Sequence, residues 1–349
     1  MKTRSFKIIV FLVFSQFLSA CSNISYIAQG AVGHLALMER REPISELLKG
    51  DTLSAKRREQ ISAVQNIRAF AYDRLKLPKN NSYSSFIEIE KEALTWNIVA
   101  TKKYSMRPIQ TCFPIGGCVS YLVYFKKERA EKEAEKHRKL GHDVHIIPSP
   151  AYSTLGFWDD PVVSTMFRGS ISSTAEVMFH ELAHQRLFRK NNSAFNEAFA
   201  SAVGEEGTRL WLKENRPKLL KRYNDHVIKR WQFFNLLLST SEELREFYKD
   251  KKPEAELAKG KERIFARLKN RYAKLKKSWG GDKRFDRWFT KHPLNNAKLA
   301  VIGVYYRLVP DFSKRLKEFD YDFERFYNYY QNKKDLAKPK TPKSRGGGF

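Results

Sequence analysis

Cysteine is scarce in this chain, with three among 349 residues. Neither a histidine nor a further cysteine lies close to the pair Cys112 and Cys118, so the sequence offers no cysteine-based metal site there. Acidic residues are short as well: 38 Asp+Glu stand against 65 Lys+Arg, a formal net charge of +27. Such a surface favours anionic partners, an envelope surface of lipopolysaccharide or anionic lipid among them. No RNA- or DNA-binding motif accompanies the charge, so nucleic acid is not an expected partner, and solvated lysine-rich helix faces account for most of it. No internal repeat is present, which excludes solenoid and propeller architectures. The apolar stretch at residues 8–18 is broken by Ser15 and Gln16 and is too short to span a bilayer.

That stretch has a different use. Lys2, Arg4 and Lys7 precede it, giving the basic and apolar regions of a secretory signal. Leu18-Ser19-Ala20-Cys21 closes it and resembles a bacterial lipobox residue for residue. The resemblance implies removal of residues 1–20 as a lipoprotein signal peptide and acylation of Cys21, anchoring the chain to a membrane. Ser22 follows the cysteine, a choice compatible in Gram-negative lipoproteins with the periplasmic face of the outer membrane. In an oxidising compartment the remaining cysteines read as a pair. Cys112 and Cys118 flank Pro114, Gly116 and Gly117, a turn that favours a disulfide.

Patterning predicts an α+β chain, predominantly helical with a small mixed β-sheet. A weak helical lead-in covers 22–50 and an amphipathic helix 55–75, stopped by Pro78. Strand-like runs occupy 95–101, 119–125 and 143–147, with a charged helix at 126–140. The domain expected over 21–333 therefore divides into a sheet-containing part at about 80–165 and a helical part at about 170–333. Residues 251–291 carry 15 Lys/Arg and 5 Asp/Glu and read as solvated helix, with Trp279 and Trp288 supplying the buried faces. The basic tail at 334–349 has too few apolar side chains to offset its ordering entropy and is expected to be disordered.

The chemistry concentrates in His180-Glu181-Leu182-Ala183-His184. Positions i and i+4 of a helix share a face, so both imidazoles can reach one metal ion. Glu181 projects beside them, where it can take a proton from water. Apolar Val177, Met178, Leu182, Ala183 and Leu187 fit a buried helix, and Ser172, Ser173 or Thr174 is the candidate cap. Catalytic zinc usually has three protein ligands and one open position. Glu197, in a second helix that Ser193 could cap, is the expected third ligand; Glu205 and Glu206 are alternatives further along. The third His and Gly of a metzincin are absent at their offsets. Peptide-bond hydrolysis also needs an oxyanion donor. Tyr305 is favoured, with Tyr152 and Tyr306 as alternatives. His137, His142 and His145 sit in or beside a charged helix, His34, His226 and His292 have no partner spacing, and all six read as structural or surface residues.

The whole mature chain resembles the bacterial putative aminopeptidase family, predicted zinc-dependent peptidases that include lipoproteins. The similarity runs in order through 77–83 (Leu-Pro-Lys-Asn-Asn-Ser-Tyr), 95–100 (Thr-Trp-Asn-Ile-Val-Ala) and 112–121, which holds both cysteines and Tyr121. It continues through 151–156 (Ala-Tyr-Ser-Thr-Leu-Gly), 179–185 (Phe-His-Glu-Leu-Ala-His-Gln) and 195–197 (Phe-Asn-Glu), and ends near 295–297 and 305–310. It implies a zinc peptidase acting on a peptide or protein substrate, with metal on His180, His184 and Glu197. The rival reading is a non-catalytic envelope scaffold or peptide-binding protein with a structural metal site. Glu181 separates the two, because a structural site has no use for that acid.

Overall fold

The computed structural model describes residues 25–113 and 117–333. The expected signal segment, Cys21 and the expected disordered tail lie outside the described residues. A helix α1 (25–38) leads into β1 (Glu42–Pro43), α2 (Ile44–Lys49) and α3 (Ala55–Asp73). Strands β2 (Ser85–Ile87), β3 (Thr95–Thr101), β4 (Thr111–Phe113), β5 (Gly117–Val119) and β6 (Leu122–Tyr124) follow, then α4 (Lys127–Lys139), β7 (Asp143–Ser149) and β8 (Val162–Val163). The rest is helical: α5 (Ile171–Arg186), α6 (Ser193–Asn215), α7 (Pro217–Phe247), α8 (Glu254–Ser278), α9 (Asp286–Thr290), α10 (Asn296–Tyr306), α11 (Val309–Glu318) and α12 (Phe323–Asn332).

The chain is thus α+β, mostly helical with small mixed sheets. The β structure is divided more finely than the sequence pattern foretells. Strands β1, β2 and β8 form one sheet, β6, β3 and β7 a second, and β4 pairs with β5 as a hairpin. In the second sheet β3 runs antiparallel to both neighbours, with Asn97 opposite Val123 and Ile147. Because side chains alternate along a strand, Trp96 and Ile98 pack with Leu122, Tyr124 and Ala130 of α4, while Asn97, His145 and Ile147 face the opposite way. The expected strand at 119–125 is broken at Ser120 and Tyr121, between β5 and β6. Cys112 and Cys118 are paired directly across the hairpin and joined by a disulfide, with Cα atoms 3.9 Å apart.

The main core gathers α3, α5, α6, α11 and α12. Ile61, Val64, Ile67 and Ala71 of α3 recur at helical spacing and meet Phe179 and Leu182 of α5 and Phe199 and Val203 of α6. A second core joins α7, α8 and α10. Along 254–278 its buried side chains are Ile264, Phe265, Leu268 and Tyr272, whereas Trp279 and Trp288 only border it. The tryptophans are thus not the main buried face of that basic segment, because the amphipathic stripe inside α8 is wide enough to serve.

Helices α5 and α6 lie closer than ordinary side chains allow. A Cβ built on Gly204 would stand 2.8 Å from the Glu176 backbone oxygen and 3.4 Å from the His180 Cβ. Backbone cannot yield as a flexible side-chain tip can, so the pair would have to separate. Gly204→Ala is therefore expected to destabilise the chain by about 1–3 kcal/mol, despite alanine's better helix propensity. Thermal unfolding of the variant measures this, and an unchanged or raised Tm would show that the helices have room to spare.

Candidate metal centre and cleft

Two short-range devices fix where the paired helices begin. Ser170 caps α5, its hydroxyl accepting from the Ser173 amide, two positions before the earliest cap the sequence offers. Asn192, and not Ser193, caps α6, accepting from the Phe195 amide 3.1 Å away. Both are better placed because a cap must sit in non-helical backbone just outside the first turn. Asn196, buried within α6, reaches back to the connecting loop. Its Oδ1 accepts from the Arg189 amide and its Nδ2 donates to the Arg189 carbonyl, both at 2.8 Å. This two-way clasp closes the loop and determines which residue of α6 faces α5.

That residue is Glu197. Its Oε2 lies 3.3 Å from His180 Nε2 and 3.7 Å from His184 Nε2, and the two Nε2 atoms are 3.1 Å apart. Two imidazole nitrogens and a carboxylate oxygen therefore face one small volume and could hold a metal ion. The fit to zinc can be tested by geometry. Bonds of about 2.0–2.1 Å in a tetrahedral shell put neighbouring ligand atoms about 3.3 Å apart, close to the edges seen here. The donor set of two imidazoles and one carboxylate also suits that ion.

The groups behind the ligands are equally defined. His180 Nδ1 lies 3.4 Å from Ser201 Oγ, one turn beyond Glu197 on α6. His184 Nδ1 is buried and has no hydrogen-bond partner among the described residues. Glu197 is 5% exposed, and its second oxygen accepts a 2.7 Å hydrogen bond from the Tyr121 hydroxyl. Burial pushes the Glu197 carboxyl up, but His184, His180 and Tyr121 outweigh it and hold the carboxyl below its usual range. Burial also pushes the His184 imidazole down to about 4, so it is neutral and can ligate. For Glu181 burial dominates and raises the carboxyl to about 7, with Glu197 and Asp160 adding to the rise and His180 opposing it.

Glu181 makes no hydrogen bond or ion pair with the described residues. It faces a cleft of about 1180 Å³ whose walls include His180, Tyr305, Asn97, His145, Ile147 and the Glu176–Arg230 pair. Tyr305 of α10 stands beside Glu181 in this wall, its ring stacked on Tyr121 with centroids 6.2 Å apart. Burial, then the charges of Glu197 and Glu181, raise its hydroxyl well above the usual tyrosine range, so it keeps its proton.

Of the residues singled out by sequence, His180, His184 and Glu197 come together, and Glu181 and Tyr305 border the same cleft. Tyr306 also touches the cleft, but its ring is held against Phe234 at 4.2 Å and Trp231 at 6.3 Å. Tyr152 packs on Phe125 and His34 and is not among the residues that line the cleft. Glu205 and Glu206 are not ligands. Glu205 binds Arg230 at 2.8 Å and the Trp231 indole at 2.9 Å, and Glu206 binds Arg209 at 3.2 Å. Arg230 also meets Glu176 at 2.7 Å, so these acids belong to a buried ion network that braces α5, α6 and α7.

Tyr121 is the functional residue that reading by segment passed over. Its signal was its place after the disulfide hairpin. Cys118 donates its amide to Asn191 Oδ1 at 2.7 Å, in the loop joining α5 to α6. Gly117 is required at that contact, since a Cβ there would overlap the same oxygen and its φ is +75°. The hairpin thus docks on the loop between the two ligand helices and delivers Tyr121 to Glu197.

The profile of one protein family, described as Putative aminopeptidase, matches residues 25–344. No curated protein and no solved structure matches the chain.

Because the Tyr121 hydroxyl holds an oxygen of Glu197, the candidate third ligand, Tyr121→Phe is expected to leave the fold intact and weaken metal binding about 10–100-fold. Competition of the variant against a chelator of known affinity checks this, and an unchanged affinity would make the hydrogen bond incidental.

Proposed function

The chain belongs to the putative aminopeptidase family, and on that premise we propose a zinc-dependent peptidase, with His180, His184 and Glu197 holding the ion. The observation that carries the zinc reading is the three-residue cluster, whose His180 lines a large cleft with an uncommitted carboxyl, Glu181, beside it. A structural zinc site tends to complete its shell with a fourth protein ligand, which favours the enzyme over the scaffold. The family's description points to removal of N-terminal residues as the mode of cleavage.

When bound, zinc would polarise the peptide carbonyl and lower the pKa of water towards neutrality. Glu181 accepts the proton of the attacking water and passes it to the departing amine, a role that requires a carboxyl free of other partners. Tyr305, protonated in its buried setting, donates to the carbonyl oxygen as negative charge builds there. Tyr121 keeps Glu197 oriented, and Ser201 does the same for His180. The proposal extends to location. Cys21, once acylated, tethers the enzyme to the envelope membrane, where the substrate is a peptide or protein, and the basic surface faces anionic envelope components.

Glu181→Gln is nearly isosteric and should keep zinc while lowering hydrolysis of a peptide library by roughly 10²–10⁴-fold. His184→Ala should lose zinc and activity together. Metal content and mass-spectrometric cleavage assays read both variants. Activity surviving in Glu181→Gln would remove the proton-transfer role, and zinc-loaded wild-type protein that cleaves nothing would favour the scaffold.

A further inference from the structure

Helix α1 is at odds with the chain that carries it. Charged residues make up 30% of the sequence, yet none of the fourteen residues at 25–38 is charged. Its inner face is committed. Tyr26 stacks on Phe113 and accepts from the Val123 amide at 3.0 Å, Gln29 donates to the Val123 carbonyl at 3.1 Å, and His34 and Leu37 are buried. The outer face consists of Ile27, Ala28, Ala31, Val32, Leu35 and Ala36, all exposed. Ile27, Val32 and Leu35 are 54%, 66% and 57% exposed, a stripe of the kind a soluble helix normally turns inward.

Two neighbouring features share this character. Trp158, 56% exposed, sits beside α1 with its ring 4.8 Å from that of His34, and Phe157 next to it is 82% exposed. Ala28, Val32 and Ala36 also line a groove of about 460 Å³ whose wall carries Arg40, Lys91, Lys126 and Arg129 against one acid, Glu90. These four cations form no salt bridge with the described residues. An apolar stripe, an exposed tryptophan and unpaired cations alongside are what a helix lying in a bilayer interface presents to acyl chains and anionic head groups.

We propose that the outer face of α1, with Phe157 and Trp158, rests on the surface of an anionic phospholipid bilayer. Cys21 lies four residues before the helix, a reach of about 14 Å at most, so acyl chains on it would enter the membrane beside this face. Acyl chains on one terminal residue hold the chain at the membrane but leave its body free to rotate, and a second contact fixes the orientation. Since the inner face is already docked on β6 and the β4–β5 hairpin, the orientation of α1 is transmitted to the body that holds the cleft.

The test uses the mature chain with Cys21→Ser, which carries no lipid, and vesicles of phosphatidylethanolamine with 30% phosphatidylglycerol. The chain should co-float with these vesicles, and acyl chains brominated near the glycerol should quench a Trp158 signal that is lost in Trp158→Phe. Replacing Ile27, Val32 and Leu35 by serine keeps the net charge and should reduce binding at least tenfold, with the melting temperature unchanged. Failure of the Cys21→Ser chain to bind any vesicle would overturn the proposal, as would equal binding by the serine variant, which would reduce the attraction to net charge. A dimer in solution that the serine substitutions dissociate would overturn it too, assigning the face to a second copy. None of these outcomes depends on whether the cleft hydrolyses peptides.

Discussion

The distance between α5 and α6 governs the candidate centre. Both histidines come from α5, and their i, i+4 spacing puts them on one face whatever the rest of the chain does. Glu197 comes from α6 and is useful only if that helix lies nearly in backbone contact. Gly204 permits the approach opposite Glu176 and His180, and Ala198, Ala200 and Ala202 keep the flanks of α6 small and fully buried. The Asn196 clasp on Arg189 then sets the rotation at which α6 leaves its loop. The placement of the three candidate ligands is in this sense a product of packing.

Holding them costs electrostatic free energy, which the surroundings offset. A buried carboxylate is unfavourable unless hydrogen bonds and opposite charge compensate it. Glu197 receives the Tyr121 hydroxyl on one oxygen and faces two imidazoles with the other, and its carboxyl falls below the usual range despite burial. Glu181 accepts no hydrogen bond from the described residues, has only the charge of His180 to oppose its burial, and rises to about 7. Two acids sixteen positions apart are thus driven in opposite directions, one towards a permanent anion and the other towards a group able to gain and lose a proton near neutrality. Separation of that kind divides ligand from general base in many hydrolytic sites.

Much of this was legible in the sequence because the signals were local. The histidine pair, Glu181 between them and the helix that carries them follow from one five-residue pattern, and β3 has the bounds 95–101 that its apolar run foretells. Glu197 was legible as an acid just inside a helix that follows an Asn-rich break. Other parts were set by contacts across the chain. Tyr121 looked like the interior of a strand at 119–125, because nothing within that segment shows that its hydroxyl will meet Glu197, 76 positions away. Glu205 is a ligand candidate by position alone, and its partner Arg230 lies on another helix that no local pattern links to it. Helix caps fell one or two residues from their expected places, since several Ser and Asn residues near each break could serve and tertiary packing chose among them.

The central claim is that His180, His184 and Glu197 are the protein ligands of one catalytic zinc ion. X-ray absorption at the zinc edge of the mature chain measures this shell directly. The account predicts one zinc per chain with two imidazole nitrogens and light oxygen ligands at about 2.0–2.2 Å, one oxygen being lost or replaced in Glu197→Ala. A shell containing sulfur, a shell of four protein ligands with no exchangeable position, or a spectrum unchanged in Glu197→Ala would contradict it.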